Sequence, residues 1–152
     1  MDRILLEYML SKMKKGLKQG EDIGNIKIGA LFALGSQLEA IFYFVGHELG
    51  SKFDVNVIQD QDEIIKNLVR ISEEYNLGKF ILDESSPDHI TFTLDNCNSC
   101  RDFPDEFQSE SPFCSFEAGV FAGIVERMTN KHCFAQELAC KLQKNVSNCQ
   151  FM

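Results

Sequence analysis

The sequence has few basic residues for its acidic content, since 15 Lys and Arg stand against 23 Asp and Glu and the formal net charge is −8. Binding to the phosphates of a nucleic acid requires clustered positive charge. The one basic cluster, formed by Lys12, Lys14, Lys15 and Lys18, is short and is typical of the solvated side of a helix. The composition therefore argues against a nucleic-acid-binding surface.

A long uninterrupted apolar run is also missing. The longest nearly uncharged stretch, residues 28–46, is broken by Gly29, Gly35, Gln37 and Glu39. We therefore predict a buried helix there and no membrane span. Lysines near the N-terminus cut short the apolar run that an export signal needs, so we expect a cytoplasmic protein. In that reducing compartment, the six cysteines suggest a metal site before disulfides.

Apolar spacing predicts an α+β fold in which helices pack on an antiparallel sheet. The second predicted helix is apolar on most sides, so we expect it to be the central one. Gly119 and Gly123 in the last helix would let another backbone approach closely. Helices are predicted at residues 4–18, 30–53, from Asp60 or Asp62 to a C-cap at Gly78, and from Ser111-Pro112 to 129; strands are predicted at 79–84, 89–95, 133–142 and 146–151.

Two groups of cysteines stand out in the C-terminal half. Cys97-x-x-Cys100 is a single knuckle, which supplies only two of the four ligands that zinc requires. A second metal site and ordinary surface or core thiols both remain open for this pair. The other group consists of Cys114 in Ser-Pro-Phe-Cys-Ser-Phe-Glu-Ala-Gly, then Glu137-Leu-Ala-Cys140, and finally Cys149-Gln-Phe.

This second pattern resembles the 4-vinyl reductase-like domain, a small-molecule-binding module that occurs alone in archaea and as the sensor of aromatic-responsive bacterial activators. The resemblance covers residues 27–151 and leaves residues 1–26 as an N-terminal helix and loop of one domain, residues 1–152. It implies the fold of the ligand-binding domains of nitric-oxide signalling and Golgi transport proteins. It also implies one zinc ion held by Cys114, Glu137, Cys140 and Cys149.

Binding of zinc by this set requires an irregular backbone between Glu137 and Cys140. Glu137 and Cys140 are three residues apart, which places them on opposite faces of a regular strand. The chain must therefore twist or bulge between them, and the charge of the site must be offset by nearby donors such as Lys141 and Lys144. The alternative is that these cysteines are small buried hydrophobic residues and that Glu137 faces solvent.

The resemblance further implies an apolar pocket walled by the second helix. We expect Tyr43 and His47 to be its polar anchors, with Phe44, Phe32 and Ala40 as further walls. The alternative is that these aromatic residues belong to an ordinary core, with His47 a core histidine.

Together these features predict a zinc-stabilised domain that binds or senses a hydrophobic, aromatic or lipid-like molecule, forms a homodimer and acts through a partner. One alternative is a reductase, or an accessory protein, of vinyl-group reduction in tetrapyrrole metabolism; another is a structural assembly subunit. The sequence has neither a Gly-rich dinucleotide fingerprint after a strand nor an obvious nucleophile–base pair, which favours a binding module over an enzyme.

Overall fold

The computed structural model describes residues 3–20, 38–103 and 108–152. Its elements confirm the predicted α+β class, and none of the helices in these ranges has the length and apolarity needed to cross a membrane. The helices are α1 (Arg3–Lys18), α2 (Leu38–Gly50), α3 (Gln61–Glu74) and α4 (Ser115–Thr129). The strands are β1 (Lys79–Ser85), β2 (Ile90–Asp95), β3 (Glu137–Ala139) and β4 (Cys149–Phe151).

The four strands form one antiparallel sheet in the order β1-β2-β4-β3. The inner strand β2 buries Phe92 and Leu94, whereas Thr93 between them is less buried, as the alternating pattern predicts. On one side Leu94 pairs with Phe80 of β1, and on the other side Phe92 pairs with Phe151 of β4. Leu94 also pairs with Cys149, so the start of β4 lies beside the end of β2.

The central helix is α4, and the prediction that the second helix is central is wrong. Residues 116–124 of α4 are all buried, because α2 covers one side of the helix and the sheet covers the other. Phe121 meets Phe92 of the sheet with ring centroids 4.7 Å apart. In contrast, α2 leaves Ile41 54% exposed and Phe44 43% exposed.

Glycines set the distance between α2 and α4, as the sequence predicted for Gly119 and Gly123. A Cβ on Gly119 would lie 2.1 Å from the carbonyl oxygen of Tyr43. A Cβ on Gly50 would likewise lie 2.2 Å from the carbonyl oxygen of Val120. The two backbones are therefore in direct contact, and side chains at these positions would separate the helices.

Helix α3 begins as predicted, because the Asp60 side chain caps it by accepting a hydrogen bond from the backbone N–H of Glu63. Its end differs from the prediction. The C-cap is Tyr75, and Asn76 adopts the left-handed conformation with φ 55°, whereas Gly78 leads into β1. The side-chain amide of Asn76 then donates to the carbonyl of Leu17, which ties the end of α1 to this turn.

Candidate metal centre

Four residues named from the sequence lie together in the structure. Cys114 is the N-cap of α4, Glu137 opens β3, Cys140 follows β3, and Cys149 opens β4. All four are buried, and their ligand atoms lie within 4.8 Å of one another. The predicted start of the last helix at Ser111-Pro112 lies three residues too early, because Cys114 stays outside the helix and points its thiol at this cluster.

The strand irregularity that the sequence required is present. The pairing of β3 with β4 shifts register between Glu137 and Ala139. Strand β3 then ends, and Cys140 lies in the following turn, where its carbonyl accepts a hydrogen bond from the N–H of Gln143 at 2.8 Å. Glu137 and Cys140 can therefore reach the same site although a regular strand would separate them.

The structure also brings Cys97 and Cys100 to the same cluster, which settles where this pair lies. Asn96 adopts a left-handed φ of 56° directly after β2 and turns the chain, and the N–H of Cys100 then bonds to the carbonyl of Cys97 at 3.0 Å. The Cys100 sulfur lies 3.0 Å from that of Cys114, and the Cys97 sulfur lies 3.6 Å from Cys114. Five of the six cysteines are therefore gathered in one buried cluster.

Two buried carboxylates border the thiols. Oε2 of Glu137 accepts a hydrogen bond from the backbone N–H of Cys114 at 2.6 Å, while its Oε1 is buried without a hydrogen-bond partner among the described residues. Oε1 of Glu117 accepts from both the backbone N–H and the hydroxyl of Ser99, at 3.2 and 2.5 Å. These bonds fix the first turn of α4 to β3 and to the turn that carries Cys100.

Burial and hydrogen bonds between the thiols shift the pKa values of different groups in the cluster in opposite directions. Burial raises the pKa of Glu137 to about 10 and raises the pKa of the Cys114 thiol. Hydrogen bonds from the thiols of Cys100, Cys114 and Cys140 lower the pKa of Cys149 to about 5. Five thiols and two carboxylates in one buried space cannot all be ionised without positive charge, which a multivalent cation would supply.

The positive groups expected from the sequence do not enter the cluster through their side chains. Lys141 and Lys144 are both exposed. Lys141 contributes through its backbone instead, since its N–H donates to the sulfur of Cys149 at 3.4 Å. The donor set, soft thiolates with a neighbouring carboxylate, can hold a metal ion.

The residues predicted to form a ligand pocket are only partly brought together. Tyr43, Phe44 and His47 line an open cavity of about 330 Å³, together with residues 132–134. The Tyr43 hydroxyl accepts a hydrogen bond from the N–H of Ala135 at 3.1 Å. Ala40 is exposed on α2 and is not among the residues lining this cavity, and Phe32 lies outside the described residues.

A larger cavity, of about 600 Å³, lies elsewhere and was not predicted from the sequence. Its apolar wall combines Ile64 and Leu68 of α3 with Phe92 of β2 and Phe121 of α4. Residues 131–136 close another side, and residues 132–134 therefore line both cavities. Within its own helix or strand, each of these apolar residues has the spacing that is typical of a core residue. No local sequence pattern could therefore have indicated the cavity.

A comparison with protein families finds a match in the part of the chain that contains the cluster. Residues 90–151 match the model of the 4-vinyl reductase domain family. This part of the chain resembles a 4-vinyl reductase domain. All five clustered cysteines and both buried carboxylates lie within the matched residues, and the resemblance inferred from the cysteine pattern is thereby confirmed.

Relatives of this chain occur in the archaeon Methanocaldococcus jannaschii. One uncharacterised protein is 31% identical over 107 residues, covering 70% of this chain and 59% of that protein. Another is 27% identical over 127 residues, covering 84% of this chain and 70% of that protein. The chain thus spans less than two thirds of the length of the first relative.

Two solved structures share the fold of this chain. A vinyl-4-reductase family protein from M. jannaschii aligns with a TM-score of 0.60 at 22% identity, over 99% of this chain and 94% of that one. The phenol-responsive sensory domain of the transcription activator PoxR, in complex with phenol, aligns with a TM-score of 0.58 at 13% identity. That alignment covers 85% of this chain and 70% of the PoxR chain.

Proposed function

We propose that this protein is a small-molecule-binding domain whose C-terminal hairpin is held in place by a zinc ion. The observation that carries the proposal is the cavity of about 600 Å³ between α3, β2, α4 and residues 131–136. Cavities that bind small molecules in proteins commonly measure about 300–1,000 Å³ and combine apolar walls with a few polar groups. The match to the 4-vinyl reductase domain and the likeness to the sensory domain of PoxR, which was solved with phenol, support the same function.

The chemistry of the cavity favours a hydrophobic or aromatic ligand with a polar end. Ile64, Leu68 and Phe121 offer apolar contact on its inner side. Gln61, His89 and Lys131 also line it and offer hydrogen-bonding or charged groups. A ligand that placed its apolar part against the first set and its polar group near the second would satisfy both.

The zinc part of the proposal rests on the buried cluster. Cys114, Cys140 and Cys149 supply three thiolates, and both Cys100 and Glu137 lie within reach of the fourth position. Zinc prefers four tetrahedral ligands of this kind in structural sites. Such an ion would link the start of α4 to both strands of the β3–β4 hairpin and stabilise the pairing of β4 with β2.

In this proposal residues 1–152 form one domain, which acts through a partner. The domain acts in the cytoplasm, because the thiols of the cluster must stay reduced. The proposal includes a homodimer, since Ile41 and Phe44 leave apolar surface exposed on α2. Light scattering at micromolar concentration is expected to give twice the chain mass, and a monomer there would remove the dimer from the proposal.

The binding function is tested by filling the cavity. Val125 on α4 lines it, and Val125→Phe would occupy space that a ligand needs. Ala40→Phe is the matched control, because it adds a phenyl ring at an exposed position of α2. Calorimetric titration with phenol and with decanoic acid is expected to show binding of at least one probe to the wild type and to Ala40→Phe, with a negative heat-capacity change.

Val125→Phe is expected to lose that binding while its melting temperature stays near that of the wild type. If neither probe binds to the wild-type protein, or if Val125→Phe binds as well as the wild type, the cavity is not the binding site. A large loss of stability in Val125→Phe without probe binding to the wild type would show that the position is ordinary core.

A further inference from the structure

We infer that Cys100 supplies the fourth ligand of the metal centre, so that the ion is held by the four thiolates of Cys100, Cys114, Cys140 and Cys149. Glu137 is then a positioning residue that orients Cys114 without binding the metal. The inference rests on the proposed zinc centre and assigns its ligands. It differs from the set of three cysteines and one glutamate that the sequence pattern implies.

The distances among the four sulfur atoms carry this assignment. Cys100 lies 3.0 Å from Cys114 and 3.7 Å from both Cys140 and Cys149. The other three separations are 3.7, 3.9 and 4.0 Å. A regular tetrahedron of thiolates around zinc, with Zn–S bonds of about 2.3 Å, has sulfur separations of about 3.8 Å. Five of the six separations, from 3.7 to 4.0 Å, are close to this value, and the Cys100–Cys114 edge of 3.0 Å is shorter. The four sulfurs therefore form a tetrahedron of about the size that zinc requires, compressed along one edge.

The turn that carries Cys100 is fixed in place from two sides. Glu117 of α4 accepts hydrogen bonds from both the backbone N–H and the hydroxyl of Ser99, the residue next to Cys100. The N–H of Asn98 bonds to the carbonyl of Leu77 at 2.9 Å. Cys100 itself is 1% exposed. A ligand held this firmly loses little conformational freedom when it binds the metal.

Glu137 has a different role in this arrangement. Its Oε2 accepts a hydrogen bond from the backbone N–H of Cys114 at 2.6 Å. This bond fixes the backbone of Cys114, and carboxylates next to metal sites commonly orient metal ligands through such hydrogen bonds. Cys97 lies within 4.8 Å of Cys100, Cys114 and Cys149, and in this assignment its thiol donates to the Cys114 sulfur at 3.6 Å without binding the metal. Both residues therefore act on the metal through Cys114.

Zinc-edge X-ray absorption of purified protein tests the assignment, since Zn–S distances of about 2.3 Å and Zn–O distances of about 2.0–2.2 Å are resolved as separate shells. Four sulfurs are expected for the wild type and for Glu137→Gln, with one zinc per chain by elemental analysis. Because Cys97 could replace a missing neighbour, the cysteine comparison is made in the Cys97→Ser background. Cys97→Ser is expected to keep four sulfurs, and Cys97→Ser/Cys100→Ser to keep three.

A wild-type spectrum with three sulfurs and one oxygen would overturn the role of Cys100 and leave the zinc proposal standing. Two zinc ions per chain, or an unchanged sulfur count after loss of Cys100, would overturn it as well. Absence of metal from wild-type protein that has never met a chelator would instead remove the zinc proposal itself. The wild-type spectrum decides between four sulfurs and three sulfurs with one oxygen even if a variant fails to fold.

Discussion

Gly119 lies where α4 crosses the backbone of α2. Substituting alanine for it has two opposing effects on the free energy of unfolding, one from helix propensity and one from steric overlap. Helix propensity alone predicts that Gly119→Ala stabilises the protein by about 1 kcal/mol. The added Cβ would, however, meet the carbonyl oxygen of Tyr43 at 2.1 Å and the nitrogen of His47 at 2.8 Å. Because these are backbone atoms, the helices must move apart, and we expect a net loss of roughly 1–3 kcal/mol in the free energy of unfolding.

Urea denaturation of the wild type and of Gly119→Ala measures the sign of this effect. A stabilised variant would mean that α2 and α4 are not in the backbone contact described above.

The role of Cys100 could not be predicted from its position in the sequence. Its residue type marked it as a metal ligand candidate, but its partners lie 14, 40 and 49 positions away along the chain, so sequence spacing could not assign it.

At the scale of elements, the segment that follows α4 is attached through one carboxylate. Oε2 of Glu126 accepts the backbone N–H of Cys133 at 3.1 Å and lies 2.8 Å from Nδ1 of His132. The hydrogen bond from Cys133, supported by His132 and His47, holds the pKa of Glu126 below its ordinary value of 4.5. This residue therefore anchors a wall that both cavities share.

The sign of its pH dependence follows from that shift. A carboxylate whose pKa is lowered by folding stabilises the folded state above its ordinary pKa, and this contribution is lost as the pH falls through the lowered value. We expect Glu126→Gln to be less stable than the wild type at pH 7, and the difference to shrink on acidification below about pH 4.5. Urea unfolding of both proteins across this range measures it, and a difference that is constant with pH would contradict the assignment.

Element boundaries near the cluster show why local patterns were insufficient there. The predicted strand at 133–142 is reduced to Glu137–Ala139, and the strand at 146–151 to Cys149–Phe151. Cys140 lies just outside β3 and turns towards the other thiols, whereas Cys149 is the first residue of β4 and reaches them from the sheet. The α3 cap at Asp60 was predictable, in contrast, because a cap depends only on residues within one turn of the helix.

For the whole molecule, the metal centre is expected to couple the C-terminal hairpin to overall stability. Cys140→Ser removes a thiol that lies within 4.0 Å of three others, whereas Cys133 lies outside the cluster and is partly exposed. Because metal binding free energy contributes to folding, Cys140→Ser should lower the melting temperature far more than Cys133→Ser. Thermal unfolding followed by circular dichroism measures both, and equal shifts would exclude a structural metal that uses Cys140.

The sequence by itself determined the α+β class, the half-buried strand that contains Phe92, and the identity of Cys114, Glu137, Cys140 and Cys149 as neighbours. The first two conclusions depend on residue periodicity, which is a local property of the chain, and the third is what the resemblance to the 4-vinyl reductase-like family implies. Tertiary structure alone decided that α4 is the central helix, that Cys100 joins the thiols, and that the larger cavity lies between α3, β2 and α4. These features arise where distant segments meet, and the packing of glycines, aromatic rings and sulfur atoms across those contacts cannot be read along one chain.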